Sequence, residues 1–258
     1  MKMIFMGRKK YAAEMLQWTV DQGIEVALVC TDSQFQNSPT MLKANELGIP
    51  VVSMEEAENY VNSHPGDIDI VVSYLYWRKI HNPLIDGPKY GCINFHPAIL
   101  PDWRGTAGYN IAILKKLPEW GATAHYVDKN FDTGSIIRVY KFNFDYRIET
   151  AQSLEKKTQN VQMDLYKSII LDILEKGKLS STPQKKEDGV YISKKEMLEM
   201  MRIDLNNLEN EDLDLKIRAF WFPPYDGAGF EVNGKFYTLV NNEILKTLHP
   251  KDTTSIVK

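Results

Sequence analysis

The first 74 residues alternate short apolar runs with stretches of helical periodicity, and few architectures accept that order. Apolar runs at 2–5, 25–30 and 68–74 read as strands, while 11–21, 40–47 and 55–63 read as helices. Strands separated by helices join through right-handed crossovers and build a parallel sheet. The expected fold is therefore α/β, a Rossmann-like, mostly parallel sheet with flanking helices. In such sheets ligands settle outside the carboxyl ends of the strands, where the strand order reverses. The first strand runs into Gly7-Arg8-Lys9-Lys10 and not into Gly-x-Gly-x-x-Gly, which argues against NAD or FAD.

Further along, 121–127 and 136–144 read as strands, and Thr150 is placed to cap a long helix reaching Lys176. Val161, Leu165, Ile169 and Ile173 recur every four residues and predict a core-facing stripe. After Gly177 the chain turns polar over 180–189. It closes with two strand-like runs, 229–232 and 235–240, joined by the hairpin signal Asn233-Gly234. We accordingly expect a Rossmann-like catalytic domain at 1–180 and a small C-terminal appendage at 181–258 ending in a β-hairpin. The polar tail at 251–258 is expected to fray.

A chain of 258 residues can bury a sizeable core without disulfides. Cys30 and Cys92 each sit inside an apolar run, too far apart in sequence to form a metal or redox pair, so a reducing cytoplasm is the simplest setting. Residues 1–7 are apolar only until Arg8, Lys9 and Lys10 intervene, which fits neither a signal peptide nor a membrane span. The net charge of -3, with both signs interspersed, offers no broad basic field for nucleic acid. His64, His81, His125 and His249 show no metal-ligand spacing and read as surface or satisfied core residues; no metal is expected.

Chemistry concentrates in Asn94-Phe95-His96-Pro97-Ala98-Ile99-Leu100-Pro101-Asp102-Trp103-Arg104-Gly105, followed by Phe131-Asp132-Thr133-Gly134. An amide, an imidazole and a carboxylate meet where a strand run enters two loops, a grouping suited to acyl transfer. Asn94 and His96 share one face if their segment is extended, and both can donate toward a developing oxyanion. A carboxylate at Asp132 can hold the imidazole's tautomer, raise its basicity and help take a proton from an attacking amine. His96 is then base or electrophile. Gly134 allows a sharp turn, while Pro97 and Pro101 stiffen the chain after the histidine.

The succession Asn-x-His, Leu-Pro-x-x-Arg-Gly and Asp-x-Gly closely resembles the signature of formyltransferases that use N10-formyltetrahydrofolate. The resemblance covers 68–140 well and the first 200 residues more loosely. It implies Asn94, His96 and Asp132 as catalytic groups and the folate as co-substrate. The pterin would lie against Tyr74, Tyr76 and Trp77 and the loop of Asp128, Lys129 and Asn130, largely through backbone groups. Arg104 would contact ligand or fix its loop. The motif departs from the commonest family form in carrying Pro97-Ala98 where a small hydroxyl residue often stands, which bears on contacts to folate or sugar.

Family members acting on methionyl-tRNA look longer, with a basic C-terminal domain, and those acting on glycinamide ribonucleotide look shorter. Residues 217–228, with Arg218-Ala219 ahead of Pro223-Pro224 and Gly227, resemble the C-terminal region of sugar N-formyltransferases. These act on amino-dideoxyhexoses carried by dTDP and supply surface polysaccharides such as O-antigen or capsule. The resemblance implies a nucleotide or hexose site with Trp221, Phe222 and Tyr225, and a pyrophosphate met by Lys9, Tyr191 and Lys194. The apolar residues Phe230, Val232, Phe236, Tyr237, Leu239 and Val240 suggest a homodimer through the hairpin. Alternatives are a methionyl-tRNA or glycinamide ribonucleotide acceptor, formyltetrahydrofolate hydrolysis, or ligand binding without turnover. Deleting the residues after Ser180 should separate hydrolysis from sugar transfer. Sequence leaves open whether the C-3 or C-4 amine is formylated.

Overall fold

A computed structural model describes residues 1–31, 37–106, 108–185, 189–210 and 212–248. His249 and the 251–258 tail lie outside the described residues. The chain forms two compact units: Met1–Gly105, Trp120–Phe142 and Lys157–Tyr191 make the first; Thr106–Glu119, Asn143–Lys156 and Ile192–Lys258 make the second.

In the first unit, β1 (Lys2–Gly7), α1 (Lys9–Asp21), β2 (Glu25–Cys30), α2 (Pro39–Glu46), β3 (Val51–Val52), α3 (Met54–Ser63) and β4 (Ile70–Tyr74) alternate as expected. After β5 (Cys92–His96) comes β6 (Trp103–Gly105), which pairs later with β9; between them in the chain run α4 (Gly108–Leu114), β7 (Glu119–Tyr126), β8 (Ile136–Asn143) and α5 (Ala151–Lys176), before β9 itself (Val190–Ile192). The main sheet has seven strands in the order β3-β2-β1-β4-β5-β7-β8. Pairing from β3 to β5 is parallel, and β7 joins β5 antiparallel. The chain leaves β1 toward β2 and β3, then returns to place β4 on the other side of β1. Strand order therefore reverses between β1 and β4, the position where such sheets open a crevice.

Side chains of successive strand residues leave opposite faces of the sheet. Met3 and Phe5 of β1 join one buried cluster with Leu16, Val72, Phe95, Leu165 and Ile169, while Ile4 and Met6 join another with Leu28, Ala57, Val61 and Val71. Three residues of the expected α5 stripe, Leu165, Ile169 and Ile173, are buried, and Val161 is half-buried. Tyr166 adds a polar anchor to that apolar contact. Its hydroxyl lies 2.6 Å from Thr19 Oγ1, and its ring meets Phe5, Trp18 and Tyr74. Thr150 caps α5 through its Oγ1, which accepts the Ser153 N–H at 3.1 Å. Cys30 and Cys92 are buried free thiols; burial pushes Cys30 up to about 12, so it stays a protonated core residue.

In the second unit, α4 packs on α7 (Leu213–Phe220), preceded by α6 (Lys194–Met201). Arg218 is buried here. It gives Nε–H to Asp214 at 2.8 Å and reaches the backbone carbonyls of Tyr146 and Glu149. The Arg-Ala-x-x-x-x-Pro-Pro segment thus opens with a structural arginine. β10 (Gly229–Val232) and β11 (Lys235–Thr238) form the expected hairpin, two residues shorter at its end than the sequence suggested. Asn233 and Gly234 both take positive φ, 51° and 72°, as a tight two-residue hairpin turn requires. A short α8 (Asn242–Thr247) follows. Among the described residues no helix is long and apolar enough to cross a membrane.

Because Ile169 is wholly buried between α5 and the sheet, Ile169→Ala should lower stability by about 2–5 kcal/mol, measured by urea unfolding. A loss under about 1 kcal/mol would contradict the packing described.

Candidate active site

The register across three strands sets the site. Ser73 of β4 pairs with Asn94 of β5, and Asn94 pairs with His125 of β7, so three side chains form one row. Ser73 Oγ donates to Asn94 Oδ1 at 2.8 Å. His125 Nδ1 lies 2.8 Å from the Tyr126 carbonyl and donates to it; its Nε2, 3.1 Å from Asn94 Nδ2, is then the acceptor of an amide N–H. Both bonds fix which way the Asn94 amide faces. Its second N–H has no hydrogen-bond partner among the described residues.

His96, two residues on along the same strand, is 7% exposed. Its Nε2 lies 3.0 Å from the Trp103 carbonyl and carries the proton given to it. Nδ1 then presents a lone pair 3.5 Å from Asp132 Oδ1. Burial pushes the imidazole below its ordinary value, and the neighbouring carboxylate opposes that shift without cancelling it. Asp132 does raise the basicity of His96, as expected, but desolvation outweighs it, and the ring is neutral at pH 7.

Asp132 stands in the left-handed region at φ 55°, a conformation that a non-glycine residue keeps only when its surroundings impose it. Those surroundings are visible. Gly105, itself at φ 86°, donates its N–H to Asp132 Oδ2 at 3.0 Å. Gln184 Nε2 bonds the carbonyls of Asp132 and Gly134 at 3.1 and 2.7 Å. Gly134 has no room for a side chain, since a Cβ there would sit 1.7 Å from the Tyr126 carbonyl. Burial alone would raise the Asp132 carboxyl; the positive charge that His96 and His125 carry when protonated, together with the Gly105 N–H, holds it well below the usual carboxylate range. It is ionised.

The segment after His96 is held as tightly. Thr123 Oγ1 donates to the Ala98 carbonyl at 2.7 Å and accepts the Leu100 N–H at 3.0 Å, while Trp120 Nε1 reaches the Pro97 carbonyl at 3.2 Å. Arg104 is 8% exposed and gives Nη2 to Gln184 Oε1 and to the Lys185 carbonyl, at 2.9 and 3.2 Å. These bonds fit the second of the two roles open to Arg104, fixing the loop. Through Gln184 it supports the backbone around Asp132.

Asn94, His96 and Asp132 are thus brought together, and His125 belongs with them. Reading His125 as a satisfied buried residue describes its bonds but missed its place, 3.6 Å from Asp132 Oδ1. The register of β7 against β5 was the missing signal. His64 and His81 are exposed. The Tyr74 side chain is wholly buried, with its hydroxyl 3.3 Å from Gln159 Oε1, so only its backbone can meet a ligand. Tyr76 is half-buried, and Trp77 is exposed with the Arg78 guanidinium 5.0 Å from its ring. Asp128 spends its carboxylate on its own loop, accepting from the Asn130 N–H and the Thr133 hydroxyl; Lys129 and Asn130 are exposed. Lys9 is half-buried at φ 68°, and its carbonyl accepts the Thr40 hydroxyl; Tyr191 and Lys194 are exposed. In the second unit Trp221 and Phe222 are half-buried and Tyr225 is exposed, with the Phe222 and Tyr225 rings 5.8 Å apart.

A half-buried amide donor, a neutral imidazole with a lone pair and an ionised carboxylate suit attack of an amine on a carbonyl carbon. Comparison with known proteins agrees with that chemistry. Residues 1–170 match the formyl transferase family. The methionyl-tRNA formyltransferase of Nitrosospira multiformis is 31% identical over 245 residues, covering 91% of this chain and 77% of that protein. A 4-N formyltransferase from Francisella tularensis shares the fold with a TM-score of 0.76 at 24% identity, over 92% of this chain and 97% of that one. An N-formyltransferase from Helicobacter canadensis, solved with folinic acid and dTDP-3-aminofucose, gives a TM-score of 0.70 at 22% identity, over 91% and 85%.

An NMR titration of the imidazoles should find the His96 midpoint below 6.5, the ordinary value, and Asp132→Asn should move it lower still, because the group opposing desolvation is gone. A midpoint above 6.5 in the unaltered protein would reverse the assignment of burial as the dominant influence.

Proposed function

Because the chain belongs to the formyl transferase family, we propose that it moves the formyl group of N10-formyltetrahydrofolate to the amino group of an amino-dideoxyhexose carried by a nucleotide diphosphate, dTDP in the simplest case. The folate supplies a formyl group on a nitrogen able to leave. The residues fit such a donor: Asn94 offers one uncommitted amide N–H beside a buried proton acceptor, and Ser73 and His125 hold that amide in one orientation. This arrangement is the observation that carries the reading.

As the amine nitrogen bonds to the formyl carbon, negative charge gathers on the carbonyl oxygen and Asn94 stabilises it. The amine's proton passes to His96 Nδ1. Asp132, 3.5 Å away and ionised, stabilises the imidazolium that results. Breakage of the bond between the formyl carbon and the folate nitrogen then returns the electron pair to that nitrogen, which takes up the proton held by His96 and leaves the imidazole neutral again. Since His96 must be neutral to accept a proton and its pKa is depressed, turnover should persist at pH 6.5 and fall only below it.

The sugar acceptor rests on three supports. The fold is shared nearly end to end with the Francisella tularensis 4-N formyltransferase. The net charge of -3 provides little for a tRNA backbone. The paired rings of Phe222 and the exposed Tyr225 offer a stacking face for a base or sugar. A methionyl-tRNA acceptor is the second reading, favoured by the identity to the Nitrosospira multiformis enzyme. We further propose that the hairpin of β10 and β11, with exposed Val232 and Tyr237, pairs two copies of the chain.

The deciding assay offers N10-formyltetrahydrofolate with dTDP-4-amino- and dTDP-3-amino-dideoxyhexoses, methionyl-tRNA and glycinamide ribonucleotide, and reads product mass. We expect formylation of a dTDP-sugar, lowered about 10²–10³-fold in kcat by Asn94→Ala. Product on tRNA or glycinamide ribonucleotide alone would replace the acceptor. Sedimentation should give a dimer at micromolar concentration, and a monomer there removes the hairpin proposal.

A further inference from the structure

Three polar side chains of α5, Thr158, Gln159 and Gln162, are wholly buried against the sheet. Gln162 takes no part in the proton and charge transfers above. Its Nε2 donates to the Phe95 carbonyl at 2.6 Å, while its Oε1 is buried with no hydrogen-bond partner among the described residues. Reversing the amide would set two oxygens against each other at that distance, so the orientation is determined by the contact. A buried acceptor without a donor is a standing cost to the fold. Something offsets it.

Phe95 is the residue between Asn94 and His96. In the parallel ladder between β4 and β5, the Val71 N–H bonds the Gly91 carbonyl at 3.1 Å, and donors recur at every second residue. By the same register the N–H of Ser73 falls to the Ile93 carbonyl, and that of Leu75 would fall to the Phe95 carbonyl. Yet β4 ends at Tyr74, because Leu75 swings into the left-handed region at φ 60°, and the Leu75 carbonyl accepts Arg8 Nε at 3.0 Å. The strand leaves the sheet one donor early. Gln162 places a side-chain N–H on the carbonyl that the ladder would otherwise have served.

We propose that Gln162 is a positioning residue whose amide stands in for the departed end of β4, holding the Phe95 carbonyl so that Asn94 and His96 keep their aim. The departure of β4 opens the carboxyl ends of β4 and β5, where a ligand of this sheet belongs. An open crevice and a rigid strand beside it are conflicting demands, and the glutamine meets both. The kinetic consequence rests on the formyl-transfer reading; the geometric one does not.

The test compares Gln162→Leu and Gln162→Glu with the unaltered protein, by kinetics, melting and a crystal structure of the leucine variant. Gln162→Leu exchanges one buried acceptor without a donor for another, Oε1 for the Phe95 carbonyl, so Tm should move by no more than about 3 °C. We expect kcat to fall about tenfold or more with KM for both substrates within about twofold, and the crystal structure to show the Phe95 carbonyl and the flanking side chains displaced. In Gln162→Glu only the protonated acid can donate. Burial raises its pKa above the ordinary value of about 4.3, so kcat should be near that of the unaltered protein at low pH and be lost as pH rises.

Unchanged kcat in the leucine variant overturns the proposal, as does loss of activity only in step with loss of Tm. If the leucine variant does not fold, the glutamate variant decides, and a pH profile parallel to that of the unaltered protein rejects the role. If the unaltered protein transfers no formyl group, the functional reading falls by itself. The crystal structure of Gln162→Leu then settles the positioning role, with an unmoved Phe95 rejecting it.

Discussion

The pairing of β5 between a parallel neighbour and an antiparallel one is the constraint from which the site follows. Backbone hydrogen bonds on both sides fix the register, and register decides which side chains meet across strands. Ser73, Asn94 and His125 come from three distant parts of the chain, yet they form one hydrogen-bonded row because their strands are aligned at that rung. A slip of one residue in either pairing would turn Asn94 away from its partners. Precision in the amide's orientation is thus inherited from the sheet.

Two loops complete what the strands begin, and each uses backbone groups to do so. The Trp103 carbonyl accepts from His96 and the Gly105 N–H donates to Asp132, so a three-residue strand sets the tautomer of one group and adds to the stabilisation of the other's charge. Asp132 in turn occupies a conformation that asparagine or glycine would adopt more readily. The network that holds it there includes Gln184 and, behind it, Arg104. The Leu-Pro-x-x-Arg-Gly motif is therefore a frame around the two reactive side chains. Its arginine acts two contacts away from Asp132.

Much of the fold was legible because periodicity reports burial. β2 begins and ends where the sequence placed it, and α5 starts at its threonine cap. That Asn94, His96 and Asp132 lie together was legible as well, since Asn94 and His96 share a strand face by spacing and Asp132 stands two residues before a glycine with no room for a side chain. What escaped depended on long-range pairing. His125 looked like any buried histidine until β7 was laid against β5. Gln162 sat one residue beyond an apolar stripe and carried no signal of its own. Gln184 lay in a polar run that resembled a connecting segment. Tyr74, on the other hand, was legible as an aromatic at a strand end, but its side chain proved to belong to the core.

Gln184 bears on how the site is assembled during synthesis. Asn94, His96 and Asp132 leave the ribosome long before residue 184 does, and until then the carbonyls of Asp132 and Gly134 lack the side chain that caps them. The loop of Asp132 would wait, unfinished, for a segment that follows the long helix. The strained aspartate is thus among the last parts of the first unit to be secured. A chain cut after Ser180 would carry Asn94, His96 and Asp132 and still lack the side chain that caps the loop of Asp132, so the loss of sugar transfer in such a fragment would not by itself speak to the acceptor.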